Sequence, residues 1–487
     1  MKHLSISILL LIFITTFISC NDDSIFNSKV KTVNGITTVS GIRPGGLEKA
    51  LFLRLSSVSH LVISDTIDSR DFATMRDLMP NLTDIDLSNA TIAAYNGFEG
   101  TAGTSNYYYP ANAIPEFAFY SPVTSYSKLK LKSFLFPKSI KSIRDFAFNH
   151  CSGLTGTLNI PASVIDTIGR SAFSFCDGLT AIKLSAVSYI GESAFQNCSN
   201  LTGTLVIPDS VFIINDWAFS YCDKINVVKI PKTDTIIGVS AFNGCSGQFT
   251  VDAKNTAFSS MDGVLFNSDK SVLIQFPTSK TGVYSIPSVV GEIGTFAFAN
   301  CTGLTSVIIP TTTYSIGSYA FSGCSGLVGT FPISSGISFI GRNVFIGCSG
   351  ITSFNIAPDN TMFSFSNGVL LDLGQMLVKH CITSKTGSYI IPADILYIDY
   401  SAFCDCNQLT SITIPETVSE IGPRAFANCT ALTSIYAKSP TPIDLTRSTS
   451  AFESVNTKTC TLYVPIGAKA SYKSTFGWLD FRNIVEN

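Results

Sequence analysis

Cysteine and histidine are the side chains most able to make this chain reactive, and its 14 cysteines are the first to weigh. Ten of them form a ladder: Cys151, Cys176, Cys198, Cys222, Cys245, Cys301, Cys324, Cys348, Cys406 and Cys429. Their successive separations are 25, 22, 24, 23, 56, 23, 24, 58 and 23 residues. Each stands in the pattern Ile-x-x-x-(Ala/Val)-Phe-x-x-Cys-x-x-(Leu/Ile/Gln). The same site beside Ala and Phe in every unit describes a column of small buried side chains. A disulfide needs two sulfurs in narrow geometry, and equivalent members of a column offer no natural pairing, so unpaired thiols are expected. Cys381, Cys404 and Cys460 lie off the ladder, and their role stays open. Cys404-Asp405-Cys406 lacks the second pair or histidine that a zinc site needs. His150 adjoins Cys151, as a Cys-His nucleophile would. Other units place Asn, Phe or Gly there, which marks a variable, outward position. "GGLEKA" (45–50) lacks the Gly-Lys-Ser/Thr ending of a phosphate loop. Carboxylates are scattered singly. No constellation commits the chain to a reaction, and the expectation is a non-enzyme without metal or cofactor.

Binding residues are a different matter. "NYYYPAN" (106–112) follows the glycine-rich "GFEGTAGTS", and Tyr107, Tyr108 and Tyr109 could stack on a sugar or anchor a protein partner. Packing beneath their own loop is the reading preferred here. A net charge of −2 with 14% charged residues leaves no electrostatic footprint for nucleic acid. The 36 phenylalanines can build a large core.

The N-terminus, "MKHLSISILLLIFITTFISCNDDS", has a short basic start and an apolar run, Leu4 to Ile18, shorter than a bilayer span. It closes on Phe17-Ile18-Ser19-Cys20, which resembles the lipobox of bacterial lipoproteins. The resemblance implies a signal peptide at 1–19, lipidation of Cys20 and a tether at 20–30, with the membrane touched only through the acyl chains. Asn21-Asp22-Asp23 resembles the acidic start that accompanies export to the outer face in some Gram-negative anaerobes. A surface-facing outer-membrane lipoprotein is therefore expected.

A unit of about 23 residues is too short to bury a hydrophobic face alone and must stack on its neighbours. "LTSVIIP" (304–310) reads as a strand closed by proline. "IGTFAFANC" (293–301) reads as a glycine turn followed by one helical or 3-10 turn that faces Ala297, Phe298 and Cys301 inward. Each coil would add one strand to a parallel sheet, and about fourteen coils would extend roughly 65 Å. Ile114 to Phe119 is a further copy, with Pro122 where the cysteine would fall. Residues 255–287 and 360–392 are similar to each other at an offset of 105. Both hold two apolar runs around a turn, read as β-hairpins inserted at 252–286 and 357–391 and projecting from the body. A multi-coil block has been duplicated.

With these motifs in view, "CDCNQLTSITIPETVSEIG" (404–422) resembles the BspA-like branch of leucine-rich repeats, and the likeness extends over about 110–440. It implies an α/β, mostly β solenoid, a right-handed superhelix with a parallel sheet. "NLTDIDLSNATI" (81–92) is similar to an ordinary leucine-rich repeat, with Ala90 where an Asn-ladder residue would stand. The expected organisation is an N-terminal cap with irregular repeats at 31–140, BspA-like repeats at 141–437 and a closing unit at 438–487. In that closing unit Trp478 and Phe481 cover the last coil. The resemblance also implies adhesion or protein recognition, with host or bacterial surface proteins as partners. A surface glycan-binding lipoprotein with polysaccharide as partner, or a structural surface component, are the alternatives.

Overall fold

The computed structural model describes residues 28–103, 106–125, 127–161, 165–233 and 235–487. The expected signal peptide and the lipidation site Cys20 lie outside these residues. The strand Lys29–Val33 already begins within the stretch expected as tether.

The coil from residue 292 shows how this sequence makes a repeat. Glu292–Ile293 is a two-residue strand whose Ile faces the core. Two turns follow, closed by Ala297 N–H to Gly294 O (3.1 Å) and Cys301 N–H to Phe298 O (3.1 Å). Phe296 (φ 59°) and Asn300 (φ 62°) adopt left-handed backbone. The chain thus winds around while Ala297, Phe298 and Cys301 turn inward, all fully buried. The turn edge is tied to the next coil by a ladder of its own. Phe296, Phe298 and Asn300 donate N–H to the carbonyls of Ser318 (3.0 Å), Ala320 (2.8 Å) and Ser322 (2.8 Å). The strand Leu304–Ile308 then runs back, burying Leu304 and Val307, and Pro310 ends it. Coils press so closely that a Cβ at Gly317 would meet Thr295 N at 2.6 Å, so this corner is held without a side chain.

Each coil therefore contributes two strands rather than one. The long strands pair parallel, as in Gly282–Ser285 with Leu304–Ile308. The short ones form a second parallel sheet, in which Ile293, Ile316 and Ile340 stand in register. A two-residue strand leaves almost no alternation to detect, which hides it in the sequence. The chain makes about 19 turns in a mostly β solenoid with few helices. Between the sheets and the turn edge runs a phenylalanine column. Phe148, Phe173, Phe195, Phe219 and Phe242 stack within 7° of parallel at 5.0, 5.3, 5.2 and 5.6 Å. That spacing is close to the ~4.8 Å between strands, so the sheet sets the stacking distance.

The insertions do not project. Phe258–Met261, Val264–Asn267 and Val272–Gln275 form an antiparallel meander whose third strand pairs parallel with Glu292–Ile293. Val264, Leu265 and Phe266 are fully buried. The second insertion repeats this with Phe363–Ser366, Val369–Asp372 and Leu377–Cys381. Strands apolar on both faces belong in an interior, and here they take the place of a coil. They also divide the core into three clusters, spanning Val39 to Leu265, Val264 to Ile382 and Val369 to Ile484.

Both ends are closed. At the start, the hairpin Lys29–Val33 and Ile36–Ser40 precedes the helices Leu47–Leu51 and Ser69–Asp77. The second helix is held by a capping box between Asp68 and Asp71. At the finish, helix Lys469–Ser474 leads to Trp478, whose indole N–H donates to Ile443 O (2.9 Å). Phe481 meets Phe452 edge-on at 5.1 Å. Among the described residues no helix is long and apolar enough to cross a membrane.

Candidate binding surfaces

The three tyrosines lie on one strand, Tyr107–Tyr109, antiparallel to Tyr95–Gly97, and alternation separates their roles. Tyr109 is buried, its ring 5.0 Å from Tyr107, and its hydroxyl accepts the Ala102 N–H at 2.7 Å. Tyr107 donates its hydroxyl to the Glu116 carboxylate. Burial, then that hydrogen bond, push its pKa up to about 12. These two rings hold the loop together. Tyr108 alone turns outward, 63% exposed. A single exposed ring is not a built pocket.

The ladder cysteines are all free and buried. In most coils the thiol donates to the carbonyl of the column phenylalanine one coil back. Cys176 reaches Phe148 O at 3.1 Å, Cys198 reaches Phe173 O at 3.1 Å, and Cys324 reaches Phe298 O at 2.9 Å. A thiol is small enough for the slot and supplies a weak donor that alanine lacks. Burial pushes Cys151, Cys198 and Cys245 up to about 12, so these thiols stay protonated and are poor nucleophiles. His150 does not face its neighbour's sulfur. The Cys151 thiol turns inward toward Phe119 O, while the exposed imidazole stacks on Phe175 at 4.2 Å. Cys381 is buried in the second meander, where Phe276 stands in the first, and Cys404 and Cys460 are buried as well. Among the described residues no three of His, Cys, Asp and Glu group as a metal site.

A further surface is the outer face formed by the long strands. Its outward positions fall into rows because the parallel register repeats coil after coil. One row carries hydroxyls: Ser388, Ser411, Ser434 and Thr461 stand side by side. Thr330 and Ser353 share a hydrogen bond of 2.7 Å at the equivalent place. The adjacent row carries larger groups. Ile390, Thr413, Tyr436 and Tyr463 follow one another, with the two tyrosine rings stacked at 4.5 Å. Val206, Ile308 and Ile390 are 53%, 57% and 70% exposed on this face. Strand alternation within "LTSITI" carried the signal for it: the residues between the inward Leu and Ile positions are those displayed.

A sequence model of the family described as "BspA type Leucine rich repeat region" matches residues 113–249, 275–370 and 378–476 in six copies. No curated protein matches the sequence. Among solved structures, a leucine-rich repeat protein from Eubacterium ventriosum is 22% identical, covering 65% of this chain and 83% of that one, with a TM-score of 0.47. A leucine rich cell surface protein from Faecalibacterium prausnitzii is 24% identical over 85% of this chain and 93% of its own, with a TM-score of 0.44. The pneumococcal vaccine antigen PcpA is 18% identical over 94% and 96%, with a TM-score of 0.40.

Proposed function

The chain belongs to the BspA-type leucine-rich repeat family, and from that premise we propose that it is a non-catalytic recognition protein of the cell surface, adhering to other proteins through its solenoid. Cys20, in the lipobox-like segment, would carry the anchor. The observation that carries this reading is the outer face of the long-strand sheet, where a hydroxyl row and an aliphatic-aromatic row lie side by side, interrupted by Lys183 and Lys229. A face of that kind offers exposed apolar anchors within a hydrogen-bonding surround, as protein interfaces do. Solenoids present such surfaces over long distances. The test uses the chain from residue 21, offered to panels of host matrix proteins and bacterial surface proteins. Saturable binding, weakened at least tenfold by Ile308→Glu together with Ile390→Glu, is expected. Absence of any protein ligand, or binding indifferent to both substitutions, would overturn the reading.

A further inference from the structure

The duplicated block leaves two comparable seams in the short-strand sheet. At each, a coil's last short strand has no short strand of the next coil against it, because a meander intervenes. The first seam lies between Ile237 and Val272–Gln275 and encloses about 280 Å³. The second lies between Ile340 and Leu377–Cys381 and encloses about 490 Å³. The larger volume falls within the ~300–1,000 Å³ range of small-molecule sites.

Their linings differ while their backbones correspond. Where the first seam has Val239, the second has Arg342; Ile274 becomes Lys379, Gly294 becomes Asp399, Glu292 becomes Tyr397 and Thr295 becomes Tyr400. Lys379 and Asp399 pair at 2.8 Å, both at least 93% buried. The first seam shows that the fold closes without that pair, and a buried ion pair is by itself a poor source of stability. The Asp399 carboxylate also accepts the Tyr400 N–H at 2.8 Å. The Arg342 guanidinium, entering from the opposite wall, lies 4.5 Å from the Tyr400 ring centre. Phe339 and Tyr397, 46% and 39% exposed, stand on the two sides.

We infer that the second seam is a binding site for a neutral saccharide, a role separate from protein recognition by the long-strand sheet. Two exposed rings offer electron-rich faces to the C–H faces of a sugar ring. Around them, Arg342 donates, Glu420 accepts and the tyrosine hydroxyls do both, which suits a rim of hydroxyl groups. Arg342 and Lys379 are balanced by Asp399 and Glu420, so the cleft has no net charge with which to select an ion.

Titration calorimetry on the chain from residue 21, with maltohexaose, cellohexaose, xylohexaose and mannohexaose as probes, tests this. Saturable binding of at least one probe is expected, weakened tenfold or more by Tyr397→Ala and by Arg342→Ala, and unchanged by Val239→Ala at the first seam. Thermal melting of each variant accompanies the titration. Glu420→Ala, at an exposed position, serves as a second variant if Tyr397→Ala lowers the melting temperature. No saturable binding of any of the four, equal binding by the variants, or a cleft that takes up only protein ligands would each overturn the inference. None of these results depends on whether the long-strand face binds protein.

Discussion

Phe298 shows what one residue contributes to a stack. Its ring is fully buried between Phe276 at 4.8 Å and Phe321 at 4.9 Å, and its carbonyl receives the Cys324 thiol. Phe298→Ala removes contacts on both sides and leaves a cavity that the rigid sheet spacing cannot close. A loss of about 3–5 kcal/mol is expected, read as a lower urea midpoint. Val239→Ala, at an exposed position, should change stability by less than about 0.5 kcal/mol. His380 makes a second case. It is nearly buried, with Phe345 at 5.7 Å and Phe354 at 6.1 Å, and burial lowers its pKa to about 4. An unfolded imidazole titrates near ~6.5, so between those values the unfolded chain binds the extra proton. The stability it contributes is full above pH 6.5 and falls as the pH drops toward 4, by up to about 3 kcal/mol. The corresponding residue of the first meander is Gln275. His380→Gln should flatten this part of the stability–pH curve, measured by urea unfolding from pH 4 to 7.

The meanders are the elements in which reading by pattern and reading by packing diverge most. The ladder of Ala, Phe and Cys was legible because every coil repeats the same slot and the separations return to the same value. The meanders were legible as insertions, through the 56 and 58 residue gaps, but not as core. Two apolar runs around a turn look alike in a projecting hairpin and in a buried one; burial on both faces depends on which neighbours arrive. The second-seam cleft was less legible still. Arg342 and Tyr397 stand 55 residues apart, and only comparison of the duplicated blocks, position by position, shows that its lining differs. The buried meander makes a direct prediction. Phe266→Ala should cost about 3–5 kcal/mol, as a core phenylalanine does. Lys270→Ala, at the turn joining the second and third strands, should cost less than about 0.5 kcal/mol. A projecting arm would leave both substitutions near zero, and urea melts of the two variants separate the cases.

At the scale of the whole molecule, the three core clusters bear on how the stack comes apart. Each coil touches only its neighbours, so stability is a sum of coil and interface terms, and a weakened end is felt most strongly nearby. The meanders punctuate that sum, because the short-strand sheet is broken at each of them while the core clusters overlap only through a few meander side chains. Trp478 closes the C-terminal cluster, fully buried against Phe452 and Tyr472 at 5.2 and 5.3 Å. Trp478→Ala exposes the last coil and should release the block from about 369 to 484 before the others. Hydrogen exchange read by mass spectrometry would then show faster exchange in the strands Leu409–Ile414, Ser434–Ala437 and Thr461–Val464. Protection in Leu179–Lys183 and Ile225–Ile230 should stay at its original level. Uniform loss of protection along the chain would mean that the seams transmit as much coupling as ordinary coil interfaces. Loss confined to the C-terminal block makes the second meander a boundary between cooperative units.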